Sequence, residues 1–126
     1  MMLEKAASSA REILANSIEN DNVVLAIGKV EADANQMKNI ALAAHEINEK
    51  AVVVLGGVFE NKPALCLYIP QSLVDGRGWD APAMIREAAK EIQGGGGGQK
   101  NFASAGGKNA AGLDKAIEIL KNKILN

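Results

Sequence analysis

Gly94-Gly95-Gly96-Gly97-Gly98-Gln99-Lys100-Asn101-Phe102-Ala103-Ser104-Ala105-Gly106-Gly107 is the passage that most restricts what this chain can be. Five consecutive glycines suit neither a helix nor a strand, because each carries the largest backbone entropy cost on folding and offers no side chain to pack. They are read as serving backbone access, with exposed N–H groups that a phosphate, a nucleic-acid backbone or another peptide segment can approach. Gly106 and Gly107 stand before a final helix whose free N–H groups carry partial positive charge. Two glycine clusters with Lys100 and Lys108 are thus expected to converge on one anion. A flexible linker is the other reading of poly-glycine. This run, however, joins two strongly periodic helices of one small domain, where a floppy connector serves nothing.

On the N-terminal side of the run, Asp80 and Pro82 mark a helix start, and Ala81, Met84, Ile85, Ala88 and Ile92 form its apolar stripe until Gly94 stops it. On the C-terminal side, Phe102-Ala103-Ser104-Ala105 reads as a short edge strand. The last helix, with Asn109 near its start, carries Leu113, Ala116, Ile117, Leu120 and Ile124 on one face. Further back, Val23-Val24-Leu25-Ala26-Ile27 and Ala51-Val52-Val53-Val54-Leu55 are nearly continuous apolar runs, as in strands covered on both faces. Between them a helix capped by Asp33 runs to about Lys50, with Met37, Ile40, Ala41, Ala44 and Ile47 as its buried face. Asn61-Lys62-Pro63 separates the second strand from a third, Ala64 to Ile69, at hairpin spacing. Strand, helix, strand, strand gives an α/β fold with a mixed sheet of three to four strands packed with helices.

Before the first strand, Leu3, Ala6, Ala10, Ile13 and Ser17 step by threes and fours, the seam of a helix packed on another helix, until Asn20-Asp21-Asn22 breaks the pattern. Residues 1–20 therefore read as the end of a helical, coiled-coil-like arm and residues 21–126 as the α/β domain. Met1 and Met2 ahead of this segment read as a start placed on a piece of a longer protein.

Conventional chemistry finds no foothold. A P-loop would need a glycine at Phe102 and Ser or Thr at Asn109, and a dinucleotide fingerprint would follow a strand, whereas this run follows a helix. His45 has no second histidine or cysteine at metal-ligand spacing and reads as structural. Ser104 lacks a triad, and Asp75 and Asp80, flanking Gly76-Arg77-Gly78-Trp79, read as turn and cap residues. Arg77 with the lone Trp79 offers an exposed contact surface as an alternative reading. Cys66 sits among strand hydrophobes, so neither a disulfide framework nor a cysteine metal site can be assembled. No apolar run is long enough for a membrane span and no secretory leader is visible, so no membrane partner and a cytoplasmic location are expected. The net charge of −1 excludes coating of nucleic acid by bulk electrostatics. It hides an asymmetry: from Gly94 onward the ionised residues sum to +3, which leaves −4 on the preceding part.

The passage Gly94 to Gly107, a glycine cluster, a small-residue segment and then Ala105-Gly106-Gly107 before the last helix, resembles the signature of the DHH-associated domain that ends alanyl-tRNA synthetases. The resemblance extends over the whole chain, including Val23 to Ile27, Val52 to Gly57 and a helical segment like the arm that leads to the editing domain. It implies a mixed α/β fold and a non-catalytic role in docking the outer corner of alanine tRNA, so that aminoacylation and editing act on one molecule. The parent it implies is an alanine–tRNA ligase using ATP with magnesium and carrying zinc in its editing domain. The partners it implies are tRNA, the remaining domains of the same chain and, through the arm, a second copy. The nucleic-acid contact is expected at Gly94, Gly95, Gly96, Gly97, Gly98, Gln99, Lys100, Gly106, Gly107 and Lys108. DHH-type phosphoesterases, which use a related domain to bind nucleotides or single strands, are the alternative. They typically carry a histidine in the glycine motif, and this chain has none there. An oligomerising module is the third reading.

Overall fold

The computed structural model describes residues 2–20 and 23–125, with the side chains of residues 2–4 left aside. Met1, Asp21 and Asn22, singled out above, lie outside the described residues, as does the side chain of Leu3. The elements are α1 (Met2–Ala15), β1 (Ile18–Asn20), β2 (Val23–Lys29), α2 (Ala34–Ile47), β3 (Ala51–Phe59), β4 (Lys62–Tyr68), α3 (Gln71–Arg77), α4 (Ala81–Ala89), β5 (Gly95–Gln99), β6 (Phe102–Gly106) and α5 (Leu113–Leu125). Short 3-10 turns at Lys90–Ile92 and Ala110–Gly112 complete the chain.

The strands form one mixed sheet in the order β1-β2-β3-β4-β6-β5, in which β2 and β3 are parallel and every other pair is antiparallel. Six described strands replace the three to four expected. The additions are β1, whose three residues are all exposed, and β5, which is the glycine run itself. The sequence reading that the run fits no strand is thus corrected: the partner strand β6 supplies the order that glycine's own propensity does not. β6 in turn lies between β4 and β5 and is not an edge.

Alternation along each strand feeds two cores. Leu25, Val52, Val54, Leu65, Leu67, Ala103 and Ala105 face α4 and α5, together with Ile85, Ile92, Leu120 and Ile124. Ala26, Val53, Leu55, Cys66 and Tyr68 face the layer of α1 and α2. Ala6, Ala10 and Ile13 of α1 are buried in that second core with Met37, Ile40, Ala41 and Ala44 of α2. The seam expected to pack on another helix does so on α2. Two glycines let these layers close: a Cβ on Gly28 would stand 2.5 Å from the Ile13 side chain, and one on Gly57 would stand 1.9 Å from the Val30 carbonyl oxygen.

Local signals set the ends. Asp33 caps α2 by accepting from the Gln36 N–H at 2.9 Å, while its own N–H donates to the Gln36 side chain at 2.9 Å. The helix ends at Ile47, before the expected Lys50, and Ile47 in its last turn is half exposed, not buried. Glu60 and Asn61, both at positive φ, make the two-residue turn between β3 and β4. α4 gives way at Lys90 to a 3-10 turn, and the left-handed residue that ends it is Gln93, not the expected Gly94.

Candidate functional site

The glycine run divides by alternation into two sets with different physical reasons. A Cβ on Gly94, Gly96 or Gly98 would lie 2.0, 2.7 or 2.3 Å from the carbonyl oxygens of Gly106, Ser104 and Phe102. At these positions β5 approaches β6 so closely that no side chain fits, and Gly98 in addition takes a φ of +151°. Gly95 and Gly97 differ: a Cβ there would meet nothing within 4 Å, and neither has a positive φ. Gly95 pairs with Gly106, which is equally open, and Gly97 pairs with Ser104. Because paired residues point to the same face, Gly95, Gly97 and Gly106 form one bare stripe. The opposite face of these strands, carrying Ala103 and Ala105, is covered by α4. The stripe lies on the side of α2, whose Lys38 ammonium is 5.9 Å from the Phe102 ring centroid.

The anion nest expected at Gly106 and Gly107 is not formed. The N–H of Gly107 donates to the Pro63 carbonyl at 3.1 Å, and those of Lys108 and Asn109 donate to the Ile92 carbonyl at 2.8 and 2.9 Å. Gly107 is required by packing, since a Cβ there would be 2.2 Å from the Ile92 oxygen. Nor do the two lysines meet: Lys100 sits in the β5–β6 turn and Lys108 follows the far end of β6, which at about 3.3 Å per residue puts them on the order of 15–20 Å apart. Both are exposed, and among the described residues neither has an ion-pair partner. The contact residues expected from the sequence therefore fall into a bare stripe (Gly95, Gly97, Gly106), Gln99 at the end of β5 with Lys100 in the turn after it, Lys108 at the other end, and structural glycines at 94, 96, 98 and 107.

Arg86, on α4, is not singled out by any sequence pattern, yet its Nε–H donates to the Gly96 carbonyl at 3.2 Å and so occupies part of the β5 edge. His45 packs its ring on Tyr68, with centroids 4.8 Å apart, and its Nδ1 is buried without a hydrogen-bond partner. Burial pushes the Cys66 thiol up to about 12, so it stays neutral and inert. No group of His, Cys, Asp and Glu able to hold a metal occurs among the described residues, and none of their helices is long and apolar enough to cross a membrane. A cleft of about 480 Å³ between α1, the end of β2 and the start of α2 contains none of the expected contact residues.

Helices on both faces of one mixed sheet, with a glycine strand at its edge, define a three-layer domain of mixed α/β class. The chain belongs to the DHHA1 domain family, whose model matches residues 5–126 and thus takes in most of α1. Among its relatives, an alanine–tRNA ligase of Parabacteroides distasonis is 40% identical over 96% of this chain, and one of Bacteroides fragilis is 43% identical over 93%. The chain spans 14% and 13% of those two relatives' lengths. In fold it resembles the C-Ala domain of Aquifex aeolicus alanyl-tRNA synthetase, with a TM-score of 0.76 and 24% identity over 87% of this chain and 98% of that one. A DHH-domain structure from the s1p family of ribosomal proteins covers 98% of this chain with a TM-score of 0.66 and 12% identity, this chain spanning 30% of that one.

Proposed function

We propose that this chain is the C-terminal tRNA-docking domain of an alanine–tRNA ligase, holding alanine tRNA while other domains of the same enzyme aminoacylate and edit it. The observation that carries the reading is the bare stripe. Gly95, Gly97 and Gly106 lack side chains where the fold neither needs nor forbids them, so their role is to let an outside molecule reach the backbone. Lys100 and Lys108 at the two ends of β6 offer point charges to a ribose-phosphate chain crossing the stripe. The names of the relatives support the choice of tRNA. In this reading the domain supplies binding and no bond-making. ATP with magnesium and the editing zinc belong to other domains, and the setting is the cytoplasm. The phosphoesterase alternative is disfavoured by the absence of histidine from residues 94–107.

The test is a titration of the domain with alanine tRNA, a different tRNA and a single-stranded oligonucleotide at two salt concentrations. Preference for folded tRNA supports docking, and preference for the single strand moves the assignment to a nucleotide-binding domain of the phosphoesterase type. No binding to any of the three overturns the nucleic-acid reading in favour of packing within the parent enzyme. A weak dissociation constant is consistent with docking, because a module taken from a multi-site binder loses the effective concentration its tether provides.

A further inference from the structure

A second concave site lies beside the β5–β6 turn. It is a cleft of about 420 Å³ walled by Gln71, Val74, Asp75, Trp79, Asp80 and Lys100, a volume within the range of small-ligand pockets. Its two sides are fixed to one another. The Lys100 carbonyl accepts from the Ala81 N–H at 3.0 Å, tying the turn to the start of α4, and the Asn101 carbonyl accepts from the Ile69 N–H at 2.8 Å, tying it to the end of β4. Gly78, at a φ of +66°, turns the chain between α3 and α4 and delivers Trp79 to the cleft, with the Arg77 guanidinium 5.2 Å from the indole centroid.

We propose that this cleft is a nucleotide subsite of the RNA contact. Trp79 lies against a base, the Lys100 ammonium meets the attached phosphate, and the Asp75 carboxylate accepts from an exocyclic amino group of that base. The proposal rests on the docking reading above and adds to it a place where a single base is held. The chemistry is complementary in each part. An indole offers a flat apolar surface, an ammonium a charge for phosphate, and a carboxylate an acceptor that selects bases with amino donors over uracil. Asp80 is committed elsewhere, since its Oδ1 accepts from the Ala83 N–H at the start of α4 at 3.4 Å. Asp75 Oδ1 accepts from Gln71 Nε2 at 3.1 Å on the exposed side of α3, which holds the carboxylate at the rim and leaves Oδ2 for a ligand. Lys100 stands in the turn at the end of β5, the strand that carries Gly95 and Gly97, so RNA running along the stripe toward that turn would carry its next nucleotide to the cleft.

Trp79 is the only tryptophan of the chain, so its emission reports on this cleft without substitution. Alanine tRNA is titrated into the unaltered protein, with affinity measured in parallel by filter retention and RNA absorbance corrected against free tryptophan. Quenching of Trp79 with the same midpoint as retention is the expected result, together with a loss of affinity of about tenfold in Asp75→Ala. Retention of tRNA with Trp79 emission unchanged overturns the subsite while leaving docking intact. Quenching with an unchanged affinity in Asp75→Ala removes the base-amine contact and overturns the proposed selectivity. Absence of retention overturns the docking reading, and the subsite with it. Trp79→Ala should cost about tenfold or more in affinity. Because the indole also packs against the core, Asp75→Ala, at an exposed position, decides the case if Trp79→Ala does not fold.

Discussion

Gly95 and Gly97 alternate with Gly96 and Gly98 along one strand, yet an added methyl group meets opposite fates at the two pairs. At Gly96 it would press on the Ser104 oxygen at 2.7 Å and the Ala105 Cβ at 2.8 Å, and at Gly98 on the Phe102 oxygen at 2.3 Å. Backbone atoms cannot step aside as a side-chain end can, so Gly96→Ala and Gly98→Ala should each lower stability by about 1–3 kcal/mol in urea unfolding. Gly95→Ala and Gly97→Ala should leave stability unchanged or raise it by up to ~1 kcal/mol, because alanine restricts the unfolded chain and meets nothing in the folded one. If the stripe is the RNA contact, the same two variants weaken tRNA binding, and wild-type affinity in both would rule the stripe out. Cys66 gives a second prediction at this scale. Desolvation raises its thiol from 9.0 to about 12, so the unfolded chain ionises there first. The stability this group contributes is fully present below pH 9 and is lost as pH rises toward 12. Just above pH 9, before the usual range of Tyr68 at 10.0 is reached, Cys66→Ala should show a flatter decline of unfolding free energy than the unaltered chain.

Elements differ in how much of themselves the sequence displays. β2 and β3 are visible as apolar runs because both faces are buried, and α5 because Leu113, Ala116, Ile117, Leu120 and Ile124 all point one way. α3 is hidden: in Gln71–Arg77 only Val74 is buried, and one buried position makes no period. β1 is hidden for the same reason, and β5 because its order comes from β6 and α4 and not from residues with strand propensity. At the candidate site the sequence singles out the segment that forms β5 and β6. It does not distinguish glycines needed for close approach from glycines left bare, since that depends on which way alternate residues face once β5 pairs. α1 was legible as a helix with an apolar seam, but not in what that seam meets. Because Ala6, Ala10 and Ile13 are spent on α2, the chain should sediment as a monomer. Removing residues 2–16 should uncover Met37, Ile40 and Ala44 and so raise dye binding to exposed apolar surface and broaden the unfolding transition. A dimer that persists without those residues would place the pairing elsewhere.

Across the whole molecule, the candidate cations fall into two sets. Lys100 and Lys108 bracket β6, the strand that carries Gly106 of the bare stripe, whereas Lys115 sits on α5, which packs on the face opposite the stripe. A chain with a net charge of −1 has no general attraction for RNA, so the salt dependence of binding should come from the few ammonium groups that touch phosphate. Lys100→Ala and Lys108→Ala should each weaken tRNA binding and reduce the slope of log affinity against log salt by about one. On the order of 15–20 Å apart and without a shared partner, the two losses should add in the double variant. Lys115→Ala should change neither affinity nor slope. If instead Lys115→Ala lowers the slope while Lys100→Ala and Lys108→Ala do not, RNA binds the α4–α5 face, and the stripe would be left to face another part of the parent protein.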